Sequence, residues 1–280
     1  MKVLVTGAAG QLGTAIATRY ADRADVIAAT RATLDLADAS AVHACVERHA
    51  PDVVINCAAY NDVDGAEDAA EQAIRVNALA VAALARAAAA AGAVFVHYST
   101  DFVFDGRASS PYSEEDAPAP QSVYGSSKLL GEWLAADCPR HYVLRVESLF
   151  GGSHRRSTID RIIDAIREGR QARVFVDRTV TPSFVTDVAD ATWRLISGAA
   201  PFGLYHCVNS GVTNWLELAE ELARLTGRTA TARFEPVAFA SVPLKAKRPQ
   251  YCALSNAKLR AAGVEMPEWR DALRRYLRRD

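Results

Sequence analysis

The sequence predicts an α/β fold in which a doubly wound parallel sheet carries a smaller C-terminal lobe. Over the first half of the 280 residues, short apolar runs alternate with alanine-rich stretches of high helix propensity. The first run ends in a glycine-rich turn that opens a helical pattern, as in many sheets of this kind. This rhythm gives parallel strands because the crossover connections are helical and right-handed.

The strands of the first half are short and rich in valine, leucine and isoleucine, which is typical of strands buried on both faces. We predict them at Val3–Thr6, Val26–Thr30, Val53–Ala58, Val94–Ser99 and Tyr142–Val146. The stretch Ala66–Ala91 between two of them contains a long alanine tract. Because alanine has the highest intrinsic helix propensity, this stretch is predicted to be helical.

Beyond about residue 150 the alternation is looser. Helices are predicted around Ile159–Glu168 and from Asp187, and strands at Ala172–Val176 and Gly203–Val208. We expect residues 1–150, joined again by 186–209, to form the sheet domain, and residues 151–185 with 210–280 to form the lobe. No glycine- or serine-rich linker separates the two parts, so they are expected to share an interface and a cleft.

Composition and charge argue against several classes of protein. A formal net charge of −1 gives no long-range attraction to nucleic acid. No run is predicted to be apolar and long enough to span a membrane, and a strand that begins at residue 2 is expected to leave no room for a leader. We therefore expect a cytoplasmic protein with neither nucleic acid nor a membrane as a partner.

The cysteines are scattered singly along the chain. They form no C-x-x-C motif and have none of the histidine and cysteine spacing of a zinc site. We expect reduced, mostly packed thiols and no metal; the cysteines are Cys45, Cys57, Cys138, Cys207 and Cys252.

Gly7, Gly10 and Gly13 form a G-x-x-G-x-x-G run directly after the first strand. Glycines at such a turn let the backbone approach a pyrophosphate, to which the following helix offers its N–H groups and its dipole. The motif therefore predicts a bound dinucleotide, with Gln11 and Leu12 beside it at the start of the helix. The alternative is that the glycines only permit close packing of strand and helix.

The end of the second strand bears on the choice of cofactor. Folds that bind NAD present an acidic residue there, whereas this chain has Thr30 and Arg31. An arginine pairs with a 2′-phosphate, so NADP(H) is favoured and NAD(H) is the alternative. Asp35 and Leu36 are then expected at the adenine edge.

Tyr124 and Lys128 head a helical pattern and lie four residues apart, on one face of the helix. An ammonium group close to a phenol lowers the pKa of the phenol and makes it a usable proton donor. The alternative is a surface tyrosine–lysine pair. The fourth predicted strand ends in Ser99 and Thr100, so hydroxyl groups are expected at the sheet edge where such folds bind ligands.

These motifs belong to a longer set that covers nearly the whole chain. On this set the chain resembles the extended short-chain dehydrogenase/reductases, which have a Rossmann fold. The set comprises Val5–Gly13, Leu34–Leu36, Pro51–Asn56, Ala58–Tyr60, Val63–Asp64, Ala66–Glu67, Val76–Ala78, Ser99–Gly106, Pro111–Tyr112, Val123–Leu129, Arg145 with Phe150–Gly151, Lys247–Pro249, Asn256–Leu259 and Pro267–Arg270. The resemblance implies an NAD(P)H-dependent reductase of a 4-keto-6-deoxy sugar nucleotide, whose sheet domain binds the cofactor and whose lobe binds the substrate.

The resemblance also implies roles for individual residues. Tyr124 donates a proton to the emerging alkoxide, Thr100 hydrogen-bonds the same oxygen, and Lys128 lowers the pKa of Tyr124 and binds the nicotinamide ribose. The implied cofactor contacts are Gly7, Gly10, Gln11, Leu12, Gly13, Arg31, Asp35, Leu36, Cys57, Ala58, Ala59, Tyr60, Asn77, Ser99, Tyr124 and Lys128. The implied substrate contacts are Thr100, Asp101, Phe102 and Ser148.

Three positions depart from the sugar-nucleotide reductases of this family. Ser148 stands where they have a tryptophan that helps to bind the sugar, Gly65 replaces a lysine, and Arg178 replaces a glutamine. The identity of the sugar therefore stays open, and another carbonyl compound is an alternative substrate.

Two other functions stay open. One is a non-catalytic, NADP-binding regulatory subunit. The other is a sugar-nucleotide epimerase or dehydratase, for which Asp101 supplies only one of the two acidic residues that usually follow the threonine. We expect the chain to be a monomer or a homodimer.

Overall fold

The computed structural model describes residues 1–278 and contains the predicted parallel sheet. Its strands are β1 (Lys2–Thr6), β2 (Asp25–Ala29), β3 (Val53–Asn56), β4 (Val94–Thr100), β5 (His141–Val146), β6 (Leu149–Phe150), β7 (Gln171–Phe175), β8 (Thr179–Val180), β9 (Ser183–Phe184), β10 (Gly203–His206), β11 (Thr213–Asn214) and β12 (Arg233–Val237). Its α-helices are α1 (Gln11–Tyr20), α2 (Ala39–His49), α3 (Ala70–Ile74), α4 (Ala80–Ala90), α5 (Val123–Ala135), α6 (Thr158–Arg167), α7 (Val185–Ser197), α8 (Trp215–Leu225), α9 (Ala257–Ala261) and α10 (Trp269–Leu277).

The central sheet has six parallel strands in the order β10-β5-β4-β3-β1-β2. β1 pairs with β2 on one side and with β3 on the other, so the winding direction reverses between β1 and β3. In open α/β sheets a ligand binds at such a reversal, in the crevice beyond the carboxyl ends of the strands. The sequence prediction of a doubly wound sheet is confirmed.

Both faces of the sheet are buried, which accounts for the unbroken apolar runs. Val3 and Val5 point into one apolar cluster, and Leu4 points into a second cluster on the opposite face. Alternate residues of a strand point to opposite faces, so a strand covered on both sides needs apolar residues throughout.

The predicted helix Ala66–Ala91 is interrupted. Gly65–Glu67 form a 3₁₀ turn, and a π-helical segment at Arg75–Leu79 joins α3 to α4. A π-helical turn often lies at a functional site. This one contains Asn77.

One expectation about membranes needs correction. The helical stretch Ala70–Ala90 is long and apolar enough to cross a membrane by length and composition, whereas the sequence analysis predicted no such run. In the structure 61% of its apolar window is buried, and α4 packs against α2, α5 and the sheet. This packing is that of a core helix.

The later part of the chain is built from short strand pairs and amphipathic helices. β6 pairs with β9, β7 with β12, and β8 with β11, while α6 and α8 pack against β7. β10 returns to the central sheet beside β5. The division into 1–150 with 186–209 and a lobe of 151–185 with 210–280 stays a prediction.

Candidate active site

Two adjoining clefts open at the reversal point of the sheet. The larger has a volume of about 830 Å³ and lies over the carboxyl ends of β1 and β2. The smaller has a volume of about 380 Å³ and lies over the ends of β3, β4 and β5. The two share the wall formed by Gly10, Cys57, Ala58, Ala59 and Asn61. Together they form an extended trough of the kind that a dinucleotide needs.

The three glycines of the N-terminal turn have different environments. Gly7 has a φ of +65°, and a Cβ there would lie 2.5 Å from the Ala58 nitrogen. A Cβ on Gly13 would lie 2.3 Å from the Gly7 carbonyl oxygen, so Gly13 allows α1 to pack on the turn. Gly10 lines both clefts, and a Cβ there would come only within 3.1 Å of Gly7. Gly13 lines neither cleft; the structure gives it the packing role that was the alternative reading.

The start of α1 fits a phosphate group. Gly10 is the N-cap of the helix and provides no side-chain hydrogen bond to the first turn. The N–H groups of this turn and the positive end of the helix dipole therefore face the trough at its shared wall. The missing Cβ of Gly10 leaves the space that a diphosphate would fill.

The structure distributes the other implied cofactor residues along the trough. Arg31, Asp35, Leu36 and Tyr60 line the larger cleft. Gln11, Leu12 and Ser99 line the smaller one. The Ser99 hydroxyl is buried and has no hydrogen-bond partner among residues 1–278, so it is free to bind a ligand.

Asn77 lies behind the trough and does not line it. Its Oδ1 accepts a hydrogen bond from the Tyr60 nitrogen at 2.8 Å. Its Nδ2 donates to the Tyr60 oxygen at 3.1 Å and to the Ser127 hydroxyl at 3.0 Å. Its amide thus links the π-helical turn to the Tyr60 loop and to α5, which makes it a positioning residue in this structure.

The tyrosine and the lysine enter the smaller cleft from α5. Ser122 caps the N-terminus of α5, and its hydroxyl accepts a hydrogen bond from the Gly125 nitrogen at 3.1 Å. A Cβ at Gly125 would lie 2.4 Å from the Phe102 carbonyl oxygen, so this glycine lets α5 approach the turn that follows β4. Tyr124, Lys128 and Thr100 consequently line the same cleft.

The pKa of Tyr124 differs from the expectation. Burial and the nearby Asp101 raise the pKa of Tyr124 above its usual value of 10, and only a hydrogen bond with Thr100 acts in the opposite direction. Lys128 makes no resolved contribution, so the prediction that it lowers the pKa of this phenol is wrong for this structure. The reason is that the Lys128 amine is held elsewhere.

Lys128 is bound to the strand beneath it. Its Nζ donates to the Tyr98 carbonyl oxygen at 2.6 Å and lies 3.5 Å from His97 Nε2. Burial lowers the pKa of Lys128 to about 8, against the opposite effect of Glu132 and Cys57.

A polar cluster lies at the wall of the smaller cleft and is formed by the buried Asp101, Glu147 and Cys252 with the half-buried Arg178. Thr100 donates to Asp101 Oδ1 at 3.0 Å, while Asp101 Oδ2 has no hydrogen-bond partner among the described residues. Burial raises the pKa of Asp101, and burial together with Asp101 raises the pKa of Glu147 to about 8. Arg178 lies 3.5 Å from the Cys252 sulfur.

Sequence reasoning found only part of this cluster. Asp101 was predicted, and Arg178 was noted as a departure from the family. Glu147 and Cys252 were missed because they come from segments far apart in the sequence. For Glu147, the sequence offered one indication, which is that a charged residue directly follows the buried strand that ends at Val146.

The same cluster bears on the metal prediction. Within residues 1–278, ligand atoms of Asp101, Glu147 and Cys252 lie within 4.8 Å of one another. However, the positive charge of Arg178, whose guanidinium group lies 3.5 Å from the Cys252 sulfur, opposes the binding of a cation by this group. This donor set does not favour a cation.

Ser148 lies at the mouth of the cluster with an unusual backbone. Its φ is +44°, in the left-handed region that non-glycine residues seldom adopt. Its hydroxyl donates to Glu147 Oε1 at 2.5 Å, and Thr181 binds Glu147 Oε2 through both its nitrogen and its hydroxyl. A serine here leaves open space where a large aromatic side chain would stand.

The winding of the sheet reverses at the glycine turn, and the end of β4 and the first turn of α5 face that turn across the trough. This arrangement is that of an extended short-chain dehydrogenase/reductase. The chain belongs to the RmlD substrate binding domain family, whose model matches residues 1–280.

Relatives and solved structures agree with this assignment. The chain is 34% identical to a dTDP-4-dehydrorhamnose reductase of Burkholderia thailandensis, over 98% of this chain and 97% of that protein. It is 36% identical to a probable dTDP-4,6-dihydroxy-2-methyloxan-3-one 4-ketoreductase of Streptomyces antibioticus, over 98% and 94%. It is also similar to the crystal structure of a Bacillus anthracis dTDP-4-dehydrorhamnose reductase in complex with NADP, with a TM-score of 0.94, 29% identity, and coverage of 100% and 99%.

Proposed function

We propose that this protein is a reductase that uses NADPH to reduce the C4 ketone of a 4-keto-6-deoxy sugar nucleotide. The observation that carries the proposal is the convergence of Thr100, Tyr124 and Lys128 on one cleft that adjoins the glycine turn. The relatives named dTDP-4-dehydrorhamnose reductase support the class of substrate.

Bound NADPH would supply the hydride. The chain supplies the proton and the orientation of the ketone. Because burial and Asp101 raise the pKa of Tyr124, the phenol is protonated throughout the neutral range, which is the state that a proton donor needs. The Thr100 hydroxyl lies at the end of β4 beside it and, by turning its one proton away from Asp101 Oδ1, would be the second hydrogen-bond donor for the developing alkoxide.

The residues of the trough support NADPH as the favoured cofactor and NADH as the weaker one. Gly10 and the first turn of α1 provide the diphosphate site. Arg31 is exposed at the larger cleft, and no ion pair within residues 1–278 involves its guanidinium group. It can therefore pair with a 2′-phosphate.

The sugar itself is less restricted by the site. The tryptophan expected for this family is absent at Ser148, and the pocket wall there is the polar cluster of Asp101, Glu147 and Arg178. One relative is a probable ketoreductase of a different dTDP-ketosugar. We therefore propose a dTDP-linked 4-ketosugar as the substrate class and leave the substituents of the ring to experiment.

The test measures NADPH oxidation with a panel of dTDP-4-keto-6-deoxy sugars, with product analysis. Stoichiometric oxidation of NADPH and formation of a C4 alcohol are expected with at least one sugar, and Tyr124→Phe should slow both by about 100-fold or more. Tight NADPH binding without turnover on any member would instead support a regulatory subunit.

A second candidate activity follows from Glu147. In the sequence, Asp101 is the only acidic residue directly after the threonine, whereas the structure brings the buried carboxyl group of Glu147 into the same cleft. Epimerases and dehydratases of this fold need such additional acid–base groups. This activity would be supported over the reductase if the protein interconverts sugar nucleotides without net consumption of NADPH, and if substitution of Glu147 removes that interconversion.

A further inference from the structure

A buried chain of hydrogen bonds runs from the wall of the trough to Lys128, and its direction is fixed at one end. The Ala58 backbone nitrogen donates to Asn56 Oδ1 at 3.1 Å, and the Thr6 hydroxyl donates to the same oxygen at 2.8 Å. A backbone N–H can only donate, so this atom of Asn56 must be the amide oxygen. The amide nitrogen then faces away from Ala58.

The orientation of Asn56 determines the tautomer of His97. Asn56 Nδ2 lies 3.1 Å from His97 Nδ1, and because an amide nitrogen only donates, Nδ1 must be the acceptor and carry no proton. Burial and the neighbouring Lys128 hold the pKa of His97 well below 6.5, so the ring is neutral and has one proton. That proton is therefore on Nε2.

The Nε2–H of His97 points at Lys128. The two nitrogens are 3.5 Å apart, and Lys128 Nζ also donates to the Tyr98 carbonyl oxygen at 2.6 Å. An uncharged amine has a lone pair that accepts a hydrogen bond from Nε2–H, whereas an ammonium group has none and is repelled by this donor. The direction of these hydrogen bonds thus favours the uncharged amine of Lys128.

Other charged groups around Lys128 act differently. Glu132, one turn further along α5, favours the ammonium form, but it is engaged in a bidentate pair with Arg145 of β5 at 2.7 and 2.8 Å. Cys57, at the end of β3, has a pKa that burial raises and is therefore a neutral thiol. Among the described residues, two groups contact the Lys128 nitrogen: the Tyr98 carbonyl oxygen accepts a hydrogen bond from the amine in either protonation state, whereas the Nε2–H of His97 pairs only with the uncharged amine.

We propose that His97 is a positioning residue that donates its Nε2–H to the Lys128 amine and thereby sets the pH range in which Lys128 gains and loses its proton. The assignment of Lys128 to the catalytic set belongs to the proposed function, on which this proposal rests. In the reductase, the lysine could then exchange a proton under the conditions in which Tyr124 donates one. The Ala58 nitrogen at the other end lies in the wall of the cofactor trough, so the chain also connects that wall to the lysine.

The test is a titration of Lys128 by NMR with lysine labelled with ¹³C at Cε, in the protein without substrate. The chain has only five lysines, Lys2, Lys128, Lys245, Lys247 and Lys258, so Lys128→Met assigns the signal. Two variants separate the donor from burial. His97→Asn removes Nε2–H and leaves space for water, whereas His97→Phe removes it and keeps the volume filled.

We expect Lys128 to titrate about half to one pH unit higher in both variants, the scale of one lost hydrogen bond. If burial alone sets the titration, His97→Phe will titrate at or below the wild-type pH, and that result would overturn the proposal. His141→Asn, a half-buried histidine at the far end of the neighbouring strand, is the matched control and should leave the Lys128 titration unchanged.

Two measurements keep the proposal testable if the His97 variants do not fold. In the wild-type protein, ¹⁵N shifts of the six histidines should show His97 as the Nε2–H tautomer, and an Nδ1–H tautomer would refute the donor role. Asn56→Asp offers an oxygen to His97 Nδ1 and should reverse the direction of the hydrogen bonds between residue 56, His97 and Lys128. The pH at which Lys128 titrates should then rise. Since neither requires turnover, failure of the reductase assignment and failure of this proposal are distinguishable.

Discussion

Tyr124 and Lys128 lie one helical turn apart but are held by different partners. The phenol is surrounded by Thr100, Asp101 and the edge of the Phe102 ring, whose centroid is 5.5 Å away. The amine is bound to β4 by Tyr98 and His97. The tyrosine thus keeps its proton until an alkoxide develops beside it, and proton donation depends on the substrate as well as on the lysine.

Tyr124→Phe should separate binding from chemistry. The change removes one hydroxyl and keeps the ring packed, so turnover should fall by about 100-fold or more while the NADPH Kd stays near the wild-type value. Tyr142→Phe is the control, because that buried hydroxyl binds the Ala200 carbonyl oxygen outside the trough. Steady-state kinetics and a fluorescence titration of NADPH measure the two quantities. Full turnover in Tyr124→Phe would refute the proposed mechanism.

Arg31→Asp should reverse the cofactor preference. Removal of the charge-assisted contact to the 2′-phosphate, and its replacement by a like charge, should raise the Kd for NADPH by roughly 10- to 100-fold and leave the Kd for NADH nearly unchanged. Calorimetry with both cofactors measures this. Arg48→Asp, on α2 outside the trough, makes the same charge change and should alter neither value. Equal wild-type affinities for the two cofactors would remove the basis of this prediction.

At the scale of the elements, the glycine turn after β1 needs a glycine at two positions for two different reasons, space for a ligand at Gly10 and close packing of α1 at Gly13. Gly10→Val adds a side chain into the trough with little backbone conflict, so the protein should fold and the NADPH Kd should rise by about 100-fold or more. Gly13→Ala instead forces a Cβ against the Gly7 carbonyl and should lower the free energy of unfolding by about 1–3 kcal/mol. Denaturant unfolding and ligand titration of both variants test this, and a folded Gly10→Val with wild-type affinity would contradict it.

Sequence patterns predicted the strands well because β1, β3, β4 and β5 are buried on both faces, while β2 lies at the edge of the sheet and is only partly buried. β2 starts at Asp25 and β5 at His141, within one residue of the predicted starts, since apolar runs and the turns between them define such strands locally. The break within Ala66–Ala91 was not predictable in this way. In the structure the π-helical turn places Asn77 in hydrogen-bond contact with Tyr60 and Ser127, which lie elsewhere in the chain and which local helix propensity does not include.

At the scale of the whole molecule, the sequence located the glycine turn, Thr100, Tyr124 and Lys128, because each lies in a local motif. It did not locate Glu147 beside Asp101, nor Cys252 beside Arg178, because these meet only when the later part of the chain folds back over the sheet. The pKa of Tyr124 was mispredicted for the same reason. Its value depends on burial and on Asp101, neither of which follows from a spacing of four residues.

The buried carboxyl groups of Glu147 and Asp101 should also make the free energy of unfolding depend on pH. Glu147 binds a proton in the folded protein up to about pH 8, whereas in the unfolded chain it releases that proton near its usual value of 4.5. Between these values the folded state holds more protons than the unfolded state, so the stability from this group is present below about pH 4.5 and is lost as the pH rises through about 8. Asp101, whose pKa is raised too, acts in the same direction.

Glu147→Gln should remove most of this dependence. A glutamine amide can keep its oxygen towards the Thr181 nitrogen and its NH₂ towards the Ser148 hydroxyl, so the packing is preserved while the titration is lost. Relative to the wild type, the variant should gain on the order of a few kcal/mol in the free energy of unfolding between pH 5 and pH 8. Urea unfolding across this range measures the difference, with the exposed Glu71→Gln as control. If the difference in the free energy of unfolding between Glu147→Gln and the wild type does not change with pH, Glu147 is ionised in the folded protein. The assignment of Glu147 as a neutral acid in the cleft is then wrong.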